Sequence, residues 1–250
     1  MQVGLIGAGN MARALARGWG DPVLCSDSGS GRAAALAAEL GGRAASNLEV
    51  AREADLIVLC HKPAQLGAVA DEIAGEVTAV ASVVGGTTVA GLRALYPSAS
   101  VFRLMPNTPV EVGRGVVCYA RDPEVDPQLE GQVIALFERV AEVVPVTEAQ
   151  MGPAGAVMSV GPAYLALVAE AQVDAAVRHG LPAALAGRLA GDTMAGTAAL
   201  LAARNHDTLT VRREVTSPGG ITARGLDALE RGGVRGAFQA AMDRVCGERA

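Results

Sequence analysis

A short apolar run, Val3-Gly4-Leu5-Ile6, passes directly into Gly7-Ala8-Gly9-Asn10-Met11-Ala12 and then into an amphipathic segment, an order that few folds accommodate. The pattern is Gly-x-Gly-x-x-Ala between a strand and a helix. Gly7 permits a tight turn, Gly9 lets the backbone approach a pyrophosphate, and Ala12 allows close packing of the helix on the strand. The N–H groups that open a helix near Asn10 then face an anion. A second apolar run ends at Asp27, about twenty residues on, where dinucleotide sites place a ribose-binding acid. The glycine pattern alone is a weak signal. On a first strand, opening a helix and followed by that acid, it points to a dinucleotide-binding α/β domain.

The rest of the chain extends this pattern. Apolar runs at 2–6, 22–26, 55–60, 79–84 and 100–104, with weaker ones near 116–119 and 142–146, alternate with Ala-rich amphipathic segments. That alternation predicts a doubly wound, mostly parallel sheet with crossover helices. After Thr147 the strand signal stops. Helical segments follow at about 162–179, 183–203, 222–231 and 233–246, separated by Gly180-Leu181-Pro182, by the polar stretch from Arg204 to Asp207 and by Gly232-Gly233. The economical division is a Rossmann domain over 1–147 and an all-α domain over 148–250. The later helices are apolar nearly all round, most of all from Ala183 to Ala203. A domain of about a hundred residues can scarcely cover such helices alone, so an oligomer interface is expected there.

Composition narrows the function. Hydrophobic residues are 50% of the chain and charged ones 19%, aromatics are 3%, and the net charge is −5. Such a chain can bury a core, and it offers no basic stripe for nucleic acid or an anionic membrane; a small diffusible ligand fits better. The N-terminus has neither a basic leader nor a cleavable apolar core, and Arg188 and Asp192 interrupt the Ala-rich stretch before about 18 apolar residues accumulate. A soluble cytoplasmic protein without a membrane span is expected. Cys25, Cys60, Cys118 and Cys246 are scattered with no His at ligand spacing, which signals neither a disulfide framework nor a metal site.

Several segments are placed to touch a ligand. Asp27 suits both ribose hydroxyls and repels a 2′-phosphate, whereas Ser26, Ser28, Ser30 and Arg32 offer a phosphate nest, and Asn47 can reach the same ribose. The sequence leaves NADPH and NADH both open and leans slightly to NAD. Cys60-His61-Lys62-Pro63, Gly85-Gly86-Thr87-Thr88 and Met105-Pro106-Asn107-Thr108-Pro109 fall at strand C-termini, where open α/β sheets bind ligands. Lys62 is the one lysine in the chain. It reads equally as a cofactor contact or a solvated charge, and Asn107 equally as a ligand or the cap of a buried turn. Val215-Thr216-Ser217-Pro218-Gly219-Gly220-Ile221-Thr222 runs into a helix. Its glycines expose N–H groups at the positive helix end and make a carboxylate receptor, to which Ser217 and Thr222 can add hydroxyls. The plainer alternative is a turn with Thr222 as the helix N-cap. His61, His179 and His206 form no cluster.

These residues resemble the pyrroline-5-carboxylate reductase family. GAGNMA, HKP, RLMPNTP, VGPAY (160–164), HGLP and VTSPGGITARGLDALE occur in that family's order, over essentially the whole chain. The resemblance implies a helical dimerisation domain behind the Rossmann domain, a homodimer at least, with decamers of dimers as the larger assembly, and NAD(P)H-dependent reduction of 1-pyrroline-5-carboxylate to L-proline. It also implies a pyrophosphate loop at Ile6, Gly7, Ala8, Gly9, Asn10 and Met11, with ribose and phosphate contacts at Asp27 and Asn47. On the nicotinamide side it implies Cys60, His61, Lys62 and Pro63, together with Val83, Val84 and Gly85. Glu148, Ser217, Gly219, Gly220, Ile221 and Thr222 lie around the substrate by the same resemblance, with Thr222 beside the ring nitrogen. The chain departs from the family at Gly152, at Met158-Ser159-Val160, at Asn205-His206-Asp207 and at His61, which stands in place of a small apolar residue. A related cyclic imino acid as substrate, or a non-turnover paralogue that senses dinucleotide or proline, are the alternatives. A hydroxyacid dehydrogenase is disfavoured, because those enzymes place a lysine in the helical domain and this chain has none there.

Overall fold

Leu56, Ile57, Val58 and Leu59 are all buried, yet they point to opposite sides: Leu56 and Val58 join one apolar cluster, Ile57 and Leu59 the other. Period-two alternation in an uninterrupted apolar run is what a strand covered on both faces requires. Each fully buried Leu or Ile adds about 1.5–3 kcal/mol by leaving water. The computed structural model describes residues 1–247. It contains β1 (Val3–Ile6), α1 (Asn10–Trp19), β2 (Val23–Ser26), α2 (Arg32–Leu40), β3 (Gly42–Ala44), α3 (Asn47–Glu53) and β4 (Leu56–Leu59). There follow α4 (Leu66–Ile73), β5 (Ala79–Ser82), α5 (Val89–Leu95), β6 (Ser100–Pro106), β7 (Gly115–Ala120), α6 (Pro127–Glu138), β8 (Ala141–Val146) and α7 (Glu148–Met158).

The strands form one sheet in the order β3-β2-β1-β4-β5-β6-β7-β8, parallel throughout except between β6 and β7. The order reverses between β1 and β4, so the loops leaving those two strands diverge and open a crevice at their C-terminal ends. One face is covered by α1, α2 and α6 through Leu15, Leu36 and Phe137. The other is covered by α3, α4, α5 and α7 through Val50, Ile73, Leu92 and Met151. The expected doubly wound α/β sheet is present, with one more strand than the apolar pattern reveals. That strand, β3, is an exposed edge of three residues with no apolar face.

Residues Met1–Pro162 form one compact unit, and a second begins at Ala163. The second holds α8 (Gly161–Arg178) from its third residue on, α9 (Ala183–Ala203), α10 (Thr208–Glu214), α11 (Ile221–Arg231) and α12 (Val234–Cys246), and is all-helical as expected. Helix α10 was not anticipated: Asp207, read as part of a separator, is its N-cap and accepts from Leu209 N at 2.9 Å and Thr210 N at 3.1 Å. The apolar surface of these helices stays exposed within the single chain, with Leu165 at 58% and Leu167 at 63%.

Asp122 is buried behind β7 and ties the sheet to α5, because Arg93 donates to both of its carboxylate oxygens and also to Glu124. The guanidinium holds the Asp122 carboxyl below its ordinary 3.8. A lowered folded pKa means stability that is complete above the unfolded value and is lost as pH falls through the folded one. Asp122→Asn is therefore expected to cost about 1–2 kcal/mol at neutral pH, since Arg93 can turn to solvent. Urea denaturation at a series of pH values is expected to show less loss of stability below about pH 4 for the variant than for the parent.

Candidate functional site

The crevice is set by how closely two strand ends meet. Cys60 N donates to Ile6 O at 2.8 Å and Gly7 N to Ser26 O at 3.1 Å, which carries the β4-β1-β2 ladder into the turn. Gly7 has φ +100, and a Cβ there would lie 2.7 Å from His61 N and 2.8 Å from the Cys60 carbonyl carbon. No side chain fits. Gly9 differs: a Cβ there would meet nothing nearer than Cys60 O at 3.9 Å, so the space above Gly9 is free of protein. Gly9 is also the N-cap of α1 and offers no side-chain bond to the first turn. Open N–H groups beneath an open space suit an anionic group brought close to the backbone.

A cavity of about 260 Å³ lies over this turn, lined by Ile6, Gly7, Ala8, Gly9, Asp27, Ser28, Ser30, Arg32, Asn47, Cys60, His61, Lys62, Gln65 and Val69. A larger concavity of about 730 Å³ lies among Met1, Val3, Trp19, Pro22 and Arg139, at the strand ends away from the glycine turn. It has no glycine turn or open helix end, so the smaller cavity is the candidate site.

Asp27 sits in the cavity wall, but its carboxylate is already engaged. Oδ1 accepts from Gly29 N at 2.8 Å, and Oδ2 from Ser30 Oγ at 2.8 Å and Ala33 N at 2.9 Å. These bonds, led by that from Ala33, hold its carboxyl below the ordinary value. It thereby caps α2 and shapes the 28–32 loop, which presents Ser28 and Arg32 to the cavity. Among the described residues Arg32 has no carboxylate partner. Ser26 is buried and donates to Asn47 Oδ1 at 2.6 Å, while Asn47 Nδ2 donates to Glu72 at 2.7 Å. Asn47 is thus fixed at the start of α3, and Ser26 stands behind the wall.

Across the turn, burial pushes the Cys60 thiol up to about 12, which leaves it an inert hydrophobe. Lys62 is exposed at the cavity wall. The His61 ring is held by Nδ1, 2.9 Å from Lys62 O.

The other anticipated residues lie elsewhere. Asn10 and Met11 form the first turn of α1, and Asn10 Oδ1 accepts from Arg13 at 2.7 Å. Pro63 begins a short 3-10 turn, Pro63–Gln65. Val83, Val84 and Gly85 follow β5, with Gly85 exposed and facing open space. Asn107 is buried with both ends of its amide engaged: Nδ2 donates to Met158 O at 3.1 Å and Oδ1 accepts from Val116 N at 2.8 Å. It joins β7 to α7 and does not line the cavity. Glu148, at the start of α7, accepts from Val89 N at 2.8 Å and from Arg103. Gln65 and Val69 complete the cavity without any sequence signal, since ordinary helical spacing is all that brings them there.

In the second unit the N-cap of α11 is Gly220, with no side-chain cap bond, and Thr222 is the second helical residue. The plainer alternative, Thr222 as the N-cap, does not hold: the helix starts earlier, and the turn Gly220 N to Ser217 O at 3.1 Å brings Gly220 into the capping position. A Cβ on Gly220 would lie 2.3 Å from Ser217 Oγ, and Gly219 has φ +68, so the loop requires both glycines. Ser217, Gly219, Ile221 and Thr222 are exposed, Ile221 at 82%. The first turn of α11 carries no acidic residue, so its open N–H groups can receive an anion.

A doubly wound sheet whose order reverses beside a glycine turn and an open helix N-terminus, followed by an all-helical unit, defines a Rossmann-type NAD(P)-dependent oxidoreductase. Residues 2–85 match the family model described as NADP oxidoreductase, coenzyme F420-dependent, and residues 148–249 that described as pyrroline-5-carboxylate reductase dimerisation. The chain is 35% identical to a pyrroline-5-carboxylate reductase of Mycobacterium tuberculosis, over 96% of this chain and 93% of the relative. It superposes on a pyrroline-5-carboxylate reductase of Coxiella burnetii with TM-score 0.84 at 28% identity, over 98% and 96% of the two chains. It matches the Plasmodium falciparum pyrroline carboxylate reductase solved with NADP bound equally well, with TM-score 0.84 at 28% identity over 98% and 95%. This chain belongs to the pyrroline-5-carboxylate reductase family.

The helical run Glu148–Arg178 is long and apolar enough to cross a membrane by length and composition alone. It is two helices, α7 and α8, and it lies in the segment matching the dimerisation model.

The two glycines of the turn predict different failures. Gly7→Ala is expected to lose about 2–4 kcal/mol, because both its backbone angle and its contacts exclude a Cβ. Gly9→Ala is expected to melt within about 2 °C of the parent while losing dinucleotide affinity by at least about tenfold. Thermal melts paired with fluorescence titration of NADPH separate the two.

Proposed function

We propose that the chain reduces 1-pyrroline-5-carboxylate to L-proline with NADPH or NADH. The observation that carries this reading is the match to the Mycobacterium tuberculosis reductase along nearly the full length of both chains. The glycine turn and the Ser217–Thr222 loop support it by supplying the dinucleotide cleft and the carboxylate receptor that the reaction needs. In this reading the pyrophosphate lies over Gly7, Ala8 and Gly9, at the α1 N-terminus that begins with Asn10 and Met11. Asn47 faces the adenine ribose, and Cys60–Pro63 with Val83–Gly85 flank the nicotinamide. Asn107 and Glu148 act by fixing the surrounding backbone. The functional division falls at 147/148, where the dimerisation match begins.

A bound reduced nicotinamide supplies the hydride that the imine carbon accepts. The protein's part is placement: the N–H groups of Gly219, Gly220 and the first turn of α11 hold the substrate carboxylate, with Ser217 adding a hydroxyl. Ile221 covers the ring, and Thr222 hydrogen-bonds the ring nitrogen, which fixes the imine plane. A protonated imine is already electrophilic, so an orienting hydroxyl suffices where a weaker electrophile would need a general acid. The helical unit forms a homodimer at least, with decamers of dimers the larger assembly, in the cytoplasm.

Of the two cofactors NADPH is proposed as the better, because Asp27 is engaged in capping α2 while Ser28 and Arg32, which has no carboxylate partner among the described residues, face the cavity. Arg32→Ala is expected to raise KM for NADPH by about tenfold and leave KM for NADH within about twofold. An equal effect on both would remove Arg32 from 2′-phosphate recognition. Thr222→Ala is expected to lower kcat/KM for pyrroline-5-carboxylate by at least about tenfold. NAD(P)H oxidation with proline identified as product tests the activity itself, and its absence in a protein that binds NADPH would point to another cyclic imino acid or to a sensor.

A further inference from the structure

Asn47 lines the cavity, and the two ends of its amide have unequal neighbours. On one side the buried Ser26 hydroxyl lies 2.6 Å from Oδ1. A hydroxyl donates or accepts, so Ser26 could answer either end of the amide. On the other side the Glu72 carboxylate lies 2.7 Å from Nδ2. A carboxylate only accepts, so the end that meets it must be the NH2, and Ser26 is left to donate to the carbonyl. Glu72 therefore decides which way the amide of Asn47 faces.

Stability alone gives no reason for an acid at position 72. Glu72 is the last residue but one of α4, where the helix dipole disfavours a negative charge. It is exposed, and among the described residues it pairs with no cationic side chain. Its hydrogen bond goes to a neutral amide in the cavity wall, while Glu72 itself stands outside the lining. Turning that amide over would exchange donor for acceptor wherever Asn47 meets a ligand.

Resting on the reading above that places Asn47 at the adenine ribose, we infer that Glu72 is a positioning residue for the cofactor. It sets affinity for the adenosine half of the dinucleotide by holding the Asn47 amide in one orientation. The sign of its effect separates this role from a simple charge. A carboxylate repels an anionic ligand, so removing Glu72 would tighten binding if charge were all it supplied, whereas loss of orientation weakens binding.

The test is calorimetric binding of whichever of NADPH and NADH binds the parent more tightly, and of its adenosine fragment, 2′,5′-ADP or ADP, with thermal melts on every variant. Glu72→Ala is expected to melt within about 2 °C of the parent and to bind cofactor and fragment alike about fivefold more weakly. Glu72→Gln, which keeps an acceptor oxygen at the same reach without the charge, is expected to stay within about twofold of the parent. In a double-mutant cycle, Glu72→Ala is expected to cost nothing further once Asn47→Ala is in place, because it acts through that amide. Binding by Glu72→Ala as tight as the parent's, or tighter, would overturn the proposal. So would a loss that persists in the Asn47→Ala background. An Asn47→Ala variant that binds like the parent would instead sink the placement of Asn47 at the ribose, and a parent that binds neither cofactor would sink the cofactor reading; either result takes this inference with it.

Discussion

The rest of the first unit depends on one close approach: the C-terminal ends of β1 and β4 run so near each other at Gly7 that the space holds backbone and nothing else. The ladder bonds from Cys60 N to Ile6 O and from Gly7 N to Ser26 O keep the three central strands in register up to that point. From there the chain must turn, and the turn releases α1 with its first N–H groups uncovered. A hydrophobic sheet covered on both faces supplies the rigidity. The glycine supplies the place where the backbone is bare. Neither alone makes a site: the same turn on a mobile loop would hold no fixed ring of N–H groups, and the same sheet with alanine at position 7 would push its strand ends apart.

Several polar residues that look like ligands in the sequence have their side chains engaged as fasteners within the chain. Asp27 caps α2, Asn107 links β7 to α7, and Glu148 links the start of α7 to Arg103 and to the backbone at Val89. Asn107 is buried with both ends of its amide bonded, as an interior of low dielectric demands, whereas Asp27 and Glu148 lie nearer solvent with their carboxylates engaged. Fastening sets function indirectly. Asp27 engaged in its own loop presents Ser28 and Arg32 in a fixed arrangement, and Asn47, pinned by Ser26 and Glu72, keeps one orientation at the wall.

What was legible in the sequence is what geometry forces on residue type. A turn with φ +100 against backbone admits only glycine, so Gly7 announces itself, and alternating burial makes β4 and β5 readable from their side chains. Strand β3 was hidden because its three exposed residues form an edge with no apolar face. Helix α7 was hidden because Gly152, Pro153 and Gly155 break the apolar stripe that marks a surface helix. Asn107 could not be resolved, because its partner Met158 lies 51 residues away and no local spacing encodes that bond. Gln65 and Val69 reach the cavity as a by-product of where α4 packs.

Lys62 lies in the cavity wall, exposed, and no other residue of the chain carries a side-chain amine. The remaining positive charge is carried by arginine, whose guanidinium stays protonated and is a poor nucleophile at neutral pH. Electrophiles that capture neutral amines, such as reducing sugars, isocyanate and activated acyl groups, therefore meet one side-chain amine besides the α-amino group of Met1, and it stands at the cavity. Side-chain amine chemistry that in a lysine-rich protein would be diluted over many harmless positions is focused here on one edge of the nucleotide cleft.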